Sequence, residues 1–142
     1  MLSCTFFGHR YTPKEIEPTL RSALFDLIEN KNVTVFYVGN QGYFDSMARQ
    51  VLKDMKKLYP HINYSVVLAY MPGNRAKDGY RDFSDTMYPD GLEKVPQKYA
   101  IDKRNRWMID KSDYVVTYVR GIGGAYKYKE ISEKKGKTVI NL

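Results

Sequence analysis

Arg104-Asn105-Arg106-Trp107-Met108, continued by Ser112-Asp113, an apolar run over 114–119, Gly121-Ile122-Gly123-Gly124 and Glu130, is the stretch that decides the fold. It reads as an arginine-bearing helix, then a buried strand, then a glycine turn that opens a second helix. That order places bare backbone N–H groups and fixed positive charge at one edge of a sheet, where phosphates and sugars bind. A nucleotide-type pocket is the expectation.

Working outward, the same alternation fills the chain. Apolar runs at 2–7, 33–38, 64–69, 114–119 and 138–142 predict five strands, and their lack of clean alternation suits strands covered on both faces. Leu20, Leu24, Leu27 and Ile28 recur at helical spacing and predict a first helix from about Pro18 to Asn30. Thr12-Pro13-Lys14-Glu15 has the form of a capping box, but Pro18 would break a helix begun there, so a short turn is expected first. Met47, Ala48, Val51, Leu52, Met55 and Leu58 mark one face of a second helix that stops before Pro60. A third is predicted over roughly Gln97–Lys111 and a fourth over 125–135, ended by Gly136. Strand–helix alternation implies parallel pairing with helices on both sides. The expected architecture is a three-layer α/β/α Rossmann-like sandwich with a mainly parallel five-stranded sheet, in one domain over 1–142.

Residues 70–96 break this rhythm with Pro72-Gly73-Asn74, Asp78-Gly79 and Pro89-Asp90-Gly91. A loop of that length in a small domain suggests a lid or binding loop, and a ligand-dependent cover over the strand ends is the expectation.

Composition narrows the function. With 142 residues, 43% hydrophobic and 27% charged, the chain belongs with ordinary soluble domains. Lys+Arg 23 against Asp+Glu 16 gives a net charge of +7, which favours anionic ligands or nucleic acid. Cys4 is the single cysteine, so no internal disulfide forms, and with only His9 and His61 beside it no zinc spacing appears. No metal and no cofactor are expected. The start, Met-Leu-Ser-Cys, lacks a charged n-region and an apolar h-region, and no run approaches a membrane span. A cytoplasmic protein without a membrane partner is expected.

The candidate ligand-binding residues cluster just after strand ends. Gly8-His9-Arg10 follows the first predicted strand, Gly39-Asn40-Gln41-Gly42 the second, and Gly121, Gly123 and Gly124 the fourth. Glycine lets backbone approach a ligand closely. Asn40 can cap, and Asp45 in the next helix can accept from ribose hydroxyls or serve the helix dipole. Arg104 falls within the stripe formed by Ala100, Ile101, Trp107 and Met108, so its charge needs either an internal carboxylate or a ligand phosphate. Arg106 projects elsewhere. The glycines do not form GxGxxG, and no acidic residue follows at the ribose distance, which argues against a conventional NAD dehydrogenase.

Together, Gly8-His9-Arg10, Gly39-Asn40-Gln41-Gly42-Tyr43-Phe44-Asp45, Arg104-Asn105-Arg106-Trp107-Met108, Ser112-Asp113 and Gly123-Gly124-Ala125 resemble the SLOG superfamily, and within it the small bacterial YpsA-like proteins. That superfamily also holds the Lonely Guy phosphoribohydrolases and the DNA-processing protein DprA. The resemblance implies a Rossmann-like domain, often a homodimer, that binds nucleotides or nucleotide-derived small ligands at the glycine turns. Binding, with sensing as one use, is the first expectation. Nucleoside 5′-monophosphate phosphoribohydrolase activity is the alternative. There Arg104 would match the family's helix arginine and Glu130 its catalytic glutamate. Asn105 replaces the family's lysine, and Tyr126-Lys127 its Gly-Thr, so any hydrolysis is expected to be weak or restricted to an unusual substrate. Single-stranded nucleic acid binding, as in DprA, is the second alternative and is not favoured.

Overall fold

Two-sided burial explains the first strand. In β1 (Leu2–Gly8) five consecutive residues, Ser3 to Phe7, are buried, because helices cover both faces of the sheet. The computed structural model describes residues 1–70 and 86–142. The other strands are β2 (Val33–Val38), β3 (Asn63–Val67), β4 (Thr86–Met87), β5 (Tyr114–Tyr118) and β6 (Thr138–Asn141). All pairings are parallel, in the order β4-β3-β2-β1-β5-β6. The helices are α1 (Glu17–Glu29), α2 (Gly42–Leu58), α3 (Gln97–Lys111) and α4 (Gly124–Lys134).

Side chains alternate across the sheet with the two-residue strand period. Phe6, Phe36, Val66 and Val116 pack under α1 and α2 with Leu20, Leu24, Val51, Leu52 and Met55. Phe7, Val67 and Val115 face the other way, against Met108 and Ile109 of α3 and Ile131 of α4. Each large buried apolar side chain contributes ~1.5–3 kcal/mol through removal from water.

Chain order reverses around β1. The segments through β4 build outward on one side of it, and α3 then returns the chain so that β5 can pair on the other side. Such a switch point leaves a crevice beyond the carboxyl ends of the strands. The site is there.

The sheet has six strands rather than the predicted five. The extra one, β4, is two residues long and pairs Thr86 with Val66 and Met87 with Val67. Two residues carry no periodicity to read. The predicted short turn is a 3-10 turn at Lys14–Ile16, after which α1 starts with Pro18 in its first turn. No side chain caps that 3-10 turn, and the Thr12 hydroxyl donates instead to the His9 carbonyl at 2.7 Å. In the 70–96 interval, the lid expectation falls largely on residues 71–85, which lie outside the described residues. The rest of that interval holds β4 and a 3-10 turn at Leu92–Lys94 that buries Leu92. Among the described residues no helix is long and apolar enough to cross a membrane.

Candidate functional site

A cleft of about 260 Å³ opens at the switch point, between the end of β1, the starts of α2 and α4, and the inward face of α3. Gly8, His9, Arg10, Gln41, Gly42, Asp45, Ile101, Arg104, Asn105, Met108, Gly124, Ala125 and Tyr128 are among its lining residues.

Arg104 is 1% exposed, the largest fully buried side chain described. Its Nε donates to Asn105 Oδ1 at 2.7 Å, and its Nη1 donates to the Val67 carbonyl at 2.8 Å and to Asn40 Oδ1 at 3.2 Å. These neutral acceptors hold the guanidinium by geometry rather than by charge. Burial pushes its pKa down, while the nearby Asp45 charge pulls it up. The arginine that helical spacing turns inward thus forms part of the cleft wall and ties α3 to the ends of β2 and β3.

Asp45 sits in the first turn of α2, buried, and accepts the Gln41 N–H at 3.0 Å. Burial pushes its carboxyl up to about 6, against the opposing pull of Arg104, the Gln41 N–H and Arg49. Arg49 itself donates to the Gly39 carbonyl at 3.2 Å. Gly39 and Asn40 stand behind the cleft, where a Cβ on Gly39 would lie 2.7 Å from Asp45 Oδ2 and 3.2 Å from the Arg104 guanidinium carbon. Gly42 has φ +87, a left-handed conformation that suits glycine. Gly8 lines the cleft and also serves packing. A Cβ there would fall 2.2 Å from the Phe44 ring, so its missing side chain seats the first turn of α2.

The opposite wall is open. Gly121, Gly123 and Gly124 have nothing within 4 Å of an added Cβ, and Ile122 between them is 93% exposed. Gly124 and Ala125 line the cleft, whereas Gly121 and Gly123 do not. No side chain caps α4, so its first N–H groups are left for solvent or an anion. His9 anchors this turn from across the cleft, because its Nε2 accepts the Arg120 N–H at 2.6 Å. An accepting Nε2 places the proton of the neutral ring on Nδ1.

Three polar cleft residues were not singled out for a role of their own by the sequence reading. Asn105 is buried beside Arg104. Tyr128 stacks on Phe7 at 5.2 Å, and its hydroxyl donates to Asp102 Oδ1 at 2.9 Å. Gln41 bridges Asp45 to the turn. Tyr128 could have been found from its spacing, one helical turn after Gly124. Asp102 also receives Arg106 at 2.9 Å and Lys127 at 3.1 Å. Its partial burial raises the carboxyl pKa, but these three donors outweigh that effect and hold it below the usual range. Arg106 is therefore spent on an ion pair outside the cleft lining. Glu130, half-buried on α4, accepts from Tyr126 at 3.3 Å and does not line the cleft. It lies two residues past Tyr128, roughly 200° around the helix. Among the described residues no group of His, Cys, Asp or Glu is placed to hold a metal ion.

No family model matches the chain, and no curated protein does. Among solved structures it is similar to DNA processing protein A from Helicobacter pylori, a protein described for its single-stranded DNA binding mode. The TM-score is 0.63 at 15% identity, and the match covers 97% of this chain and 63% of that one. At that identity the likeness is one of fold. It extends over nearly the whole parallel α/β architecture, and this chain spans less than two thirds of the other structure's length.

Proposed function

We propose that this domain binds a nucleotide or nucleotide-derived small ligand in the switch-point cleft. The observation that carries this reading is the juxtaposition, in one cleft, of the Arg104 guanidinium and the uncapped N-terminus of α4. Both favour negative charge, and a phosphate satisfies both. Asp45 and Asn105 supply acceptors for sugar hydroxyls, while Ile101 and Met108 supply apolar surface. The SLOG resemblance and the shared fold support the same reading.

Native mass spectrometry of freshly purified protein should find a co-purified nucleotide, and calorimetry with AMP should show binding. Arg104→Ala should weaken that binding about tenfold or more, while Arg106→Ala leaves it within about twofold. Equal losses in two folded variants would reject the assignment. The hydrolase alternative needs a carboxylate at the sugar, and among the described residues the one lining the cleft is Asp45, not Glu130. Release of free base from AMP, lost in Asp45→Asn but kept in Glu130→Gln, would establish that chemistry. Single-stranded DNA binding, the property for which the structurally similar protein is described, would show itself here as steep salt dependence.

A further inference from the structure

Two exposed tyrosines stand beside the cleft without lining it. Tyr11 is 84% exposed and Tyr43 is 52% exposed. They come from different turns, one after β1 and one opening α2. The Tyr43 N–H donates to the Arg10 carbonyl at 2.9 Å, which clamps the two turns together. The result is one hollow of about 320 Å³ lined by Arg10, Tyr11, Gly42, Tyr43 and Ser46. Arg10 and Gly42 line this hollow and the proposed nucleotide cleft alike, so the two spaces adjoin at these residues. Among the described residues the Arg10 guanidinium has no hydrogen-bond or ion-pair partner, and neither tyrosine ring stacks on another ring. Single exposed aromatics are ordinary. Two that share a hollow with a free cation, continuous with a second cleft, call for a ligand.

Resting on the reading of the cleft as a nucleotide site, we propose that Arg10, Tyr11 and Tyr43 form a second base subsite. The ligand is then two bases bridged through phosphate. One nucleotide occupies the cleft, the bridging phosphate lies at Arg10, and the second base packs against the tyrosines. A guanidinium matches a phosphodiester in charge and geometry. Phenol faces stack any base, so this subsite selects for the presence of a second base more than for its identity.

Calorimetry with three probes tests the subsite: AMP, the 3′–5′ linked dinucleotide pApA, and 5′–5′ linked diadenosine diphosphate. At least one bridged probe should bind about ten- to a hundredfold more tightly than AMP. The bridge that gives the gain tells a strand end from a free dinucleotide. In the Tyr11→Ala/Tyr43→Ala variant the gain should vanish while AMP affinity stays unchanged. Tyr11→Phe/Tyr43→Phe should keep it, since the stacking faces remain. AMP binding with less than threefold gain for both bridged probes overturns the second subsite and leaves the cleft reading intact. A gain that survives the double alanine variant overturns it too. Failure of all three probes removes both readings. A tyrosine-dependent bridged ligand that binds where AMP does not supports the subsite.

Discussion

On the β2–α2 wall of the cleft a Cβ at Gly39 would lie 2.7 Å from Asp45 Oδ2, whereas on the β5–α4 wall a Cβ at Gly121, Gly123 or Gly124 would meet nothing within 4 Å. Both walls show glycine after a strand, and the letter means different things in each. On the first wall glycine makes room inside the protein, so that Asp45 and Arg104 can approach the turn. On the second it leaves room outside, so that the backbone at the start of α4 stays uncovered. Substitutions on the packed wall therefore report on stability, and substitutions on the open wall report on binding.

Gly8 belongs to the packed side and should show the largest effect. Its added Cβ would sit 2.2 Å from a ring carbon of Phe44, which is 1% exposed and cannot swing away. Gly8→Ala should cost about 3 kcal/mol or more, at the top of the overpacking range. Urea denaturation reads it as a lowered midpoint at constant slope. Full stability in Gly8→Ala would mean that Phe44 is less tightly seated than the packing shows.

Asp45 sharpens the comparison through pH. Its folded-state pKa of about 6 stands above the ordinary 3.8 because burial penalises the ionised form. A raised pKa gives stability that is fully present below the unfolded value and lost as pH rises through the folded one. Between about pH 4 and 6 the fold should therefore lose on the order of 3 kcal/mol from this group. Asp45→Asn keeps an acceptor for the Gln41 N–H and removes the titration. The variant's stability relative to wild type should rise across that window, as followed by denaturant midpoints at several pH values. A constant difference from pH 4 to 7 would remove Asp45 as a titrating group.

Most of the fold was readable because two-sided burial makes parallel strands continuous apolar runs and because Leu20–Ile28 and Met47–Leu58 carry clear helical spacing. Thr86–Met87 was not, since two residues in a ladder owe their conformation to the neighbour at Val66–Val67. Helical spacing also turned Arg104 inward. What it could not show was the company Arg104 keeps: Asn40, Asn105 and the Val67 carbonyl come from separate segments, and nothing local relates them. Glu130 illustrates the opposite limit. Its match to a motif position fixed a spacing, whereas α4 turns it away from the cleft lining and toward Tyr126.

Gly39→Ala should cost less than Gly8→Ala, about 1–3 kcal/mol. The atom it meets is a carboxylate oxygen that can shift, at the expense of the Gln41 N–H contact at 3.0 Å. That adjustment has a second readout, because the pH dependence assigned to Asp45 should change with it. A variant with wild-type stability and an unaltered pH profile would show that the turn tolerates a methyl group without moving Asp45.

Gly124→Ala should have the smallest effect on stability and is the sharpest test of the open wall. Gly124 is the first residue of α4, and an added Cβ there meets no atom within 4 Å. Alanine in place of glycine lowers the conformational entropy of the unfolded chain, so stability should stay level or rise by up to ~1 kcal/mol. Gly124 nevertheless lines the cleft beside Ala125. On the proposed reading, a methyl group at that position would crowd a phosphate held at the helix start, and the loss of one such charge-assisted contact corresponds to about a tenfold weaker complex. Thermal denaturation paired with AMP calorimetry separates the two effects. A stable variant with weakened binding places the phosphate at the α4 N-terminus. A stable variant with unchanged affinity would move the phosphate to the Arg10 side of the cleft and leave the open glycines without a ligand to serve.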